Sequence, residues 1–281
     1  MLAVRYRRRV RKLTITSRNA RFQQWQALLG NRSKRQRAGE FLVQGVRPIT
    51  LAVEHGWTVR ALVHPTTGTR SAWAERLLAT LDAEQVAMAP DLLNELAEKA
   101  DETPELLAVV EMPPDRLDRI QAGDHLLVVV FDRPTSPGNI GTLVRSADAF
   151  SAHGVVVTGH AADIYDPKAV RASTGSLFAV PTIRAGGPVD LLNWARTHAV
   201  QVIGTDEAGS VDLDAHDLTV PTMFVIGNET VGMSRAWHDA CDTIVRIPIG
   251  GAASSLNAAA AATTVLYETA RQRRSVRGPA R

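Results

Sequence analysis

Three segments of the chain carry polar residues at spacings that suit ligand recognition. The first, FDRPTSPGNIGTLVRSADAF (131–150), runs from an apolar stretch through a Pro/Gly loop into a helix that Asn139 opens and that carries Arg145. Six positions separate the two, so they lie on different turns. Arg145 either projects towards an anionic ligand or sits on the exposed face of a capped helix. The second, VIGNETVGMS (225–234), ends a strand in Gly227-Asn228-Glu229, with Gly232 next and a helix start at Ser234. A carboxylate directly after a strand-terminal glycine is placed for recognition, or is a turn residue in water. The third, IPIGGAASSLNAAAAATTVLYE (247–268), sets Gly250-Gly251 in a flexible loop and puts Ser254, Ser255 and Asn257 at the start of the last helix. The amides of such a helix end favour an acceptor or anion, although serine is also common there as a plain cap. Each segment alone is weak; the three in this order are not.

The elements that must position these residues follow from hydrophobic patterning. LLVVVF (126–131), VVVT (155–158), VQVIG (200–204), TMFVI (222–226) and TIVRI (243–247) are continuous apolar runs of the kind buried in parallel sheets. Helical stretches at 139–152, 188–198 and 255–272 lie between or after them, which predicts an α/β fold with a helix-flanked parallel sheet and places the polar segments at the strands' C-terminal ends. Upstream, shorter elements predict a smaller α/β region: strands 41–45, 59–63, 85–88 and 107–110, with helices 48–55, 71–80 and 92–97. Ser17 is the expected cap of a helix over Arg18–Leu29, with Phe22, Trp25, Leu28 and Leu29 on one face. The boundaries expected are a basic arm 1–16, a first domain 17–111, a linker 112–123 and a second domain 124–281.

Charge is uneven. Residues 1–37 hold twelve Lys/Arg and no acid, residues 271–281 hold five Arg and no acid, and the middle is net negative, although the 281-residue chain as a whole is only +3. Blocks of like charge serve as arms on a polyanion or as solvated tails; nucleic acid is the favoured partner here. One cysteine, Cys241, excludes an internal disulfide and implies a reducing, cytoplasmic setting. The longest strongly apolar run is six residues, far below the ~20 of a membrane span, and the N-terminus lacks the apolar core of a signal peptide. There is no G-x-G-x-x-G, no Gly-Lys-Ser/Thr phosphate loop and no G-x-S-x-G elbow. His238 and Cys241 have no second ligand pair beside them, so no metal is expected, and no helix-turn-helix or zinc pattern supports DNA binding.

N-x-G-x-x-x-R, I-G-N-E-x-x-G-x-S and I-P…S-S-L-N, which cover roughly 124–272, resemble the three motifs of the SpoU/TrmH family of RNA ribose 2′-O-methyltransferases in the SPOUT superfamily. EFLVQGVRPITLAVEHG (40–56) is similar to the L30e-like substrate-binding domain that many members carry. The resemblance implies a C-terminal trefoil knot, which general connection rules would not suggest, a homodimer, and S-adenosylmethionine as cofactor. Within the family, SRNARFQQWQALLGNR (17–32) and DRPTSPGNIGTLVRSADAF (132–150) most resemble members that act on a uridine of large-subunit (23S) ribosomal RNA, which implies that target, with transfer RNA as the alternative substrate and a non-catalytic RNA-binding or ribosome-assembly protein as the rival from another class. Protection of the ribosome from a drug would follow if the added methyl crowded a drug site. Two departures are Ser136-Pro137 where many members have Asp-Pro, and Thr230 where Gly is common.

By the same resemblance, Asn139 and Arg145 face the target ribose and phosphate, Glu229 accepts from Asn139 or Arg145, and Ser255 and Asn257 orient the nucleotide. The cofactor rests on backbone groups at Thr205, Gly227, Ile247 and Leu256. RNA affinity beyond this small pocket falls to the basic arm and first domain, because phosphate contacts supply affinity while shape and splayed bases supply specificity.

Overall fold

A computed structural model describes residues 11–98 and 102–277. The chain divides into two compact units, one reaching to Pro113 and including Tyr165–Pro167, the other comprising Pro114–Ile164 and the chain from Lys168 onward.

The first unit opens with β1 (Lys12–Ile15), α1 (Ala20–Gly30), α2 (Arg32–Ala38), β2 (Glu40–Gln44) and α3 (Val46–Glu54). It continues with β3 (Val59–Pro65), α4 (Ala72–Thr80), β4 (Glu84–Met88), α5 (Pro90–Ala97) and β5 (Leu107–Glu111). The strands form one mixed sheet in the order β1-β4-β3-β5-β2, with β1, β3 and β4 parallel and β5 antiparallel to both β3 and β2. Phe22, Trp25 and Leu28 of α1 pack with Ile15, Val63, Val86 and Leu93 in its core.

Two expectations are corrected, and one helix was not anticipated. The arm does not run to residue 16: Lys12–Ile15 adds an edge strand to β4, because Ile15 is fully buried and Leu13 packs on the same core. Two alternating apolar residues inside a basic run sufficed, while residues 1–10 lie outside the described residues. Ser17 does not cap α1; Asn19 does, its side chain accepting from the Phe22 amide at 3.0 Å. The α2 helix, RSKRQRA, has no apolar face to betray it. It is held by an Asn31 cap, by Gly39 in a left-handed C-cap at φ 64°, and by Arg35, which is 2% exposed and donates to the carbonyls of Leu28 and Leu29.

The second unit runs β6 (Leu127–Asp132), α6 (Pro137–Ala149), β7 (Gly154–Thr158), α7 (Pro167–Ala172), α8 (Ser176–Ala179), β8 (Thr182–Ala185) and α9 (Pro188–Thr197). It ends with β9 (Gln201–Thr205), β10 (Val211–Asp212), β11 (Thr222–Ile226), α10 (Arg235–His238), β12 (Thr243–Arg246) and α11 (Ala258–Arg277). All seven strands are parallel, in the order β10-β12-β9-β11-β6-β7-β8. Every residue of β6, β7 and β11 is buried, as expected of central strands covered on both faces. In the segment before β6, Leu117–Arg119 forms a 3-10 turn and Ile120 is buried in this unit's core.

Two helix starts differ from expectation, and both matter for the site. α6 opens at Pro137 rather than Asn139, because Ser136 caps it by accepting from the Asn139 amide at 3.3 Å and proline suits the first turn. α11 opens at Ala258, not at 255: Asn257 is its cap, accepting from the amides of Ala259 and Ala260 at 2.9 and 3.3 Å. Ser254 and Ser255 are therefore loop residues. At its other end α11 is clipped to the sheet by Arg273, whose guanidinium donates to the carbonyls of His125, Leu126, Leu218 and Val220.

α6 lies unusually close to α7. A Cβ on Gly141 would stand 2.2 Å from the Ala169 carbonyl oxygen, whereas one on Gly138 would meet only Ser136 Oγ at 3.6 Å. Gly141→Ala should therefore destabilise the protein by roughly 3 kcal/mol or more, the upper end of overpacking costs, while Gly138→Ala should stay within about 1 kcal/mol of wild type. Urea denaturation of the two variants checks this; equal midpoints would show that α6 is free to shift.

Candidate active site at the C-terminal ends of the parallel strands

The three polar segments converge. β6 and β11 are neighbours in register, so the loops that leave their C-terminal ends, after Asp132 and after Ile226, start side by side. Glu229 on the second loop then gathers the first. Its carboxylate accepts from the Thr135 amide at 3.1 Å, Thr135 Oγ1 at 3.2 Å, the Ser136 amide at 3.4 Å and Asn139 Nδ2 at 3.0 Å. Asn139 in turn accepts from Asn257 Nδ2 at 3.3 Å. Each segment thus contributes one member of a directed chain, Asn257 to Asn139 to Glu229. The carboxylate end fixes which way each amide faces, since Glu229 can only accept when ionised.

Burial pushes the Glu229 carboxyl up, but the hydrogen bonds from Asn139, its own amide and Thr135 together outweigh that and hold it below its ordinary value. Charge is the form this site is built around.

Arg145 is not drawn into the chain. It is exposed on α6 and has no hydrogen bond or ion pair among the described residues, so its guanidinium is open to solvent. Its neighbour Ser146 binds Thr263 of α11 at 2.7 Å, which fixes the helix that carries it. Of the two donors envisaged for Glu229, only Asn139 is used.

Beside the chain lies a cavity of about 540 Å³. Thr205, Gly227, Ile247 and Leu256, the four residues expected at a cofactor, all line it, as do Glu229 and Ser255. Its apolar wall is Ile226, Val231, Ile247, Ile249, Leu256, Ala258 and Ala261. Three carboxylates, Asp206, Glu207 and Glu229, face it with no Lys, Arg or His among the lining residues. An apolar slot with a negative rim fits a flat aromatic ring joined to a cationic centre, as in S-adenosylmethionine. Gly227 is required by the fold of the wall, because a Cβ there would stand 2.4 Å from the Met233 amide nitrogen, where the loop doubles back.

Sequence reasoning missed Asp206, Glu207 and Asn228. The first two follow Thr205 at the end of β9, where strand-end position alone could have flagged them. Asn228 sits inside the second motif but only the structure gives it a role: its Oδ1 accepts from the amides of Thr230 and Val231, and its Nδ2 donates to the Arg133 carbonyl at 2.7 Å. Among the described residues no group of His, Cys, Asp and Glu could hold a metal ion, and no helix is long and apolar enough to cross a membrane.

Fold and site together define an open parallel α/β enzyme with an acid-rimmed ligand cavity adjoining a preorganised polar site. Residues 126–267 match the SpoU rRNA Methylase family and residues 19–108 the SpoU L30e-like domain; the chain belongs to the SpoU methylase family. It is 61% identical, over 94% of its length and 93% of the relative's, to the 23S rRNA (uridine(2479)-2′-O)-methyltransferase of Streptomyces viridochromogenes. The crystal structure of the SpoU methyltransferase AviRb from that organism in complex with AdoMet superposes with a TM-score of 0.87 at 60% identity, over 91% of this chain and 98% of that one. The AdoMet-bound rRNA methyltransferase of Sinorhizobium meliloti gives 0.84 at 28% identity, over 92% and 98%.

Glu229→Gln keeps one oxygen to accept but turns an amide towards donors. It should cost about 1 kcal/mol after allowance for solvent screening. Because the folded carboxyl is depressed, the wild-type advantage should be full above the unfolded carboxyl value of about 4.3 and vanish as pH falls through the lower folded value. Thermal melts of both proteins between pH 7 and 3 check this; a gap that widens on acidification would contradict it.

Proposed function

We propose that the protein methylates a ribose 2′-hydroxyl in 23S ribosomal RNA, a uridine being the nucleotide, with S-adenosylmethionine as donor. The observation that carries this is the junction of an acid-rimmed cavity with the Asn257–Asn139–Glu229 chain, in a chain 61% identical to a 23S rRNA uridine 2′-O-methyltransferase. When bound, S-adenosylmethionine supplies a methyl group already activated by positively charged sulfur. Thr205, Gly227, Ile247 and Leu256 hold the donor, largely through backbone groups and apolar contact. Asn139 and Arg145 face the ribose and its phosphate, and Ser255 and Asn257 orient the nucleotide. Glu229 keeps the Asn139 amide turned.

A ribose hydroxyl is a poor nucleophile at neutral pH, so alignment and stabilisation of negative charge on the 2′-oxygen are what the protein must provide. A guanidinium stays protonated near neutrality. Arg145 therefore stabilises the oxyanion and adjacent phosphate while the proton leaves to solvent. Its freedom from partners among the described residues supports this role, since every donor is open to RNA.

The same reading includes a C-terminal trefoil knot, a homodimer, a cytoplasmic setting, and RNA contacts from the L30e-like domain and the basic arm. The sheet order supports the knot: β12 lies beyond β9, yet the chain then returns to set Asn257 against Asn139 at the end of β6.

Labelled-methyl transfer to unmethylated 23S rRNA should be present in wild type and fall at least 100-fold in Arg145→Ala with cofactor affinity retained. Transfer to transfer RNA alone would move the target, and no transfer by wild type to either RNA would defeat the reading. Removing residues 1–10, a cut that spares β1, should weaken RNA binding and flatten its salt dependence without affecting cofactor binding. An unchanged salt slope would exclude the arm from the interface. Light scattering after gel filtration checks the dimer.

A further inference from the structure

Behind the cavity wall lies a second set of bonds that the catalytic chain does not use. Asp132, the last residue of β6, is 2% exposed. Its Oδ2 accepts from the Ser234 amide at 2.7 Å and from Arg133 Nε at 3.0 Å, and its Oδ1 from Thr158 Oγ1 at 3.2 Å. Thr158 Oγ1 also accepts from Trp237 Nε1 at 3.4 Å. Arg133 stands in the left-handed region at φ 51°, where an arginine is costly. That turn sends its carbonyl to Asn228 Nδ2 and its guanidinium to the Gly232 carbonyl at 3.1 Å. Gly159 makes room for the side chain: a Cβ there would stand 2.7 Å from Arg133 Cγ.

Asp132 and Arg133 therefore grip the 228–234 loop at Asn228, Gly232 and Ser234. Residues 228–232 of that loop are cavity wall, and between its first two gripped points lies the hairpin closed by the Asn228–Gly232 bridge. Two and three residues after Arg133, Thr135 and Ser136 donate to Glu229 on the same loop. The clasp thus lies directly behind the wall rather than in either ligand site.

We propose that Asp132 and Arg133 are positioning residues for the donor site, setting the loop 228–234 in the conformation that binds S-adenosylmethionine. This rests on the methyltransferase reading above. Neither lines the cavity, so both act through the loop. A buried carboxylate with an amide, a hydroxyl and a guanidinium on it is replaced poorly by a carboxamide, which presents one acceptor and a donor. Loss of the guanidinium frees the Gly232 carbonyl and one side of the hairpin, while the backbone conformation of residue 133 is no harder for alanine than for arginine.

The test uses the full chain and three proteins: wild type, Asp132→Asn and Arg133→Ala. Donor binding is read by calorimetry, kinetics by methyl transfer to 23S rRNA with donor varied, and loop order by amide hydrogen exchange over 228–234. Arg133, one-third exposed, is the variant expected to fold without difficulty. Both substitutions should raise the Kd and KM for S-adenosylmethionine tenfold or more, leave kcat at saturating donor within about threefold, and speed exchange in the loop but not in β6 or β11. Wild-type donor affinity in Arg133→Ala, or a loss of kcat that excess donor does not restore, would overturn the proposal. Exchange that rises throughout the second unit would do so too, by reducing the clasp to general stability. A wild-type chain that binds no donor would instead overturn the methyltransferase reading, and the clasp with it.

Discussion

The carboxylate of Glu229 is one negative charge on the loop after β11, and it takes hydrogen bonds from three residues ninety or more positions earlier in the chain, two in the loop before α6 and one on its first turn. Two of those donors are backbone amides at the approach to α6, where the unsatisfied N–H groups of a helix start already favour an anion. The third is Asn139, and through it Asn257 is tied in. An amide in place of the carboxylate would meet a row of donors with a donor of its own. Convergence of the three polar segments therefore depends on this residue being charged, and the hydrogen bonds that gather there are what keep it so against the cost of burial.

Such a contact can form only if the sheet delivers its ends in register. β11 is paired along its whole length with Leu127–Phe131 of β6, and the third segment reaches the same end of the sheet at the start of α11. That helix is anchored at both extremes: Asn257 caps it beside Asn139, and Arg273 binds carbonyls just before β6 and β11. Sixteen residues at 1.5 Å each make about 24 Å, slightly more than a five- or six-residue strand with its entry loop. α11 is thus a strut running from the C-terminal ends of the central strands to their N-terminal ends, and its length sets where Asn257 stands. Gly141 lets α6 sit close to α7 on the neighbouring side, which fixes the helix carrying Asn139 and Arg145.

Much of this was legible in the residues. The central strands of the second unit are apolar runs with no competing reading, and the three polar segments declared themselves by falling at strand ends. The four cofactor positions inferred from family resemblance fall around one cavity. What escaped has identifiable causes. β1 is two apolar residues hidden in a basic stretch, and α2 has a polar sequence stabilised by caps and one buried arginine. The helix starts at 137 and 258 were missed because Ser136 and Asn257 compete with neighbours of the same capping propensity, and only geometry chooses between Ser254, Ser255 and Asn257. The clasp was invisible because nothing in the sequence says that Arg133 adopts a left-handed turn, or that Asp132 points back under the sheet's end rather than into the site.

The distribution of charge around the site has its own logic. A cavity lined by Asp206, Glu207 and Glu229 attracts a cationic sulfur and repels phosphate, and at physiological salt such a field fades within about 8 Å. A phosphate backbone approaching this end of the sheet is therefore repelled from the cavity, whereas a neutral hydroxyl at the rim is not. Arg145 stands on α6, among neither the lining residues of the cavity nor the ion pairs of the described residues, so its cation is held apart from the carboxylates around the cavity. Were Arg145 paired to Glu229, each would neutralise the other, and neither charge would be left to act on a ligand. Asn139, neutral and able to donate to one side while accepting from the other, is the side chain that can stand between them.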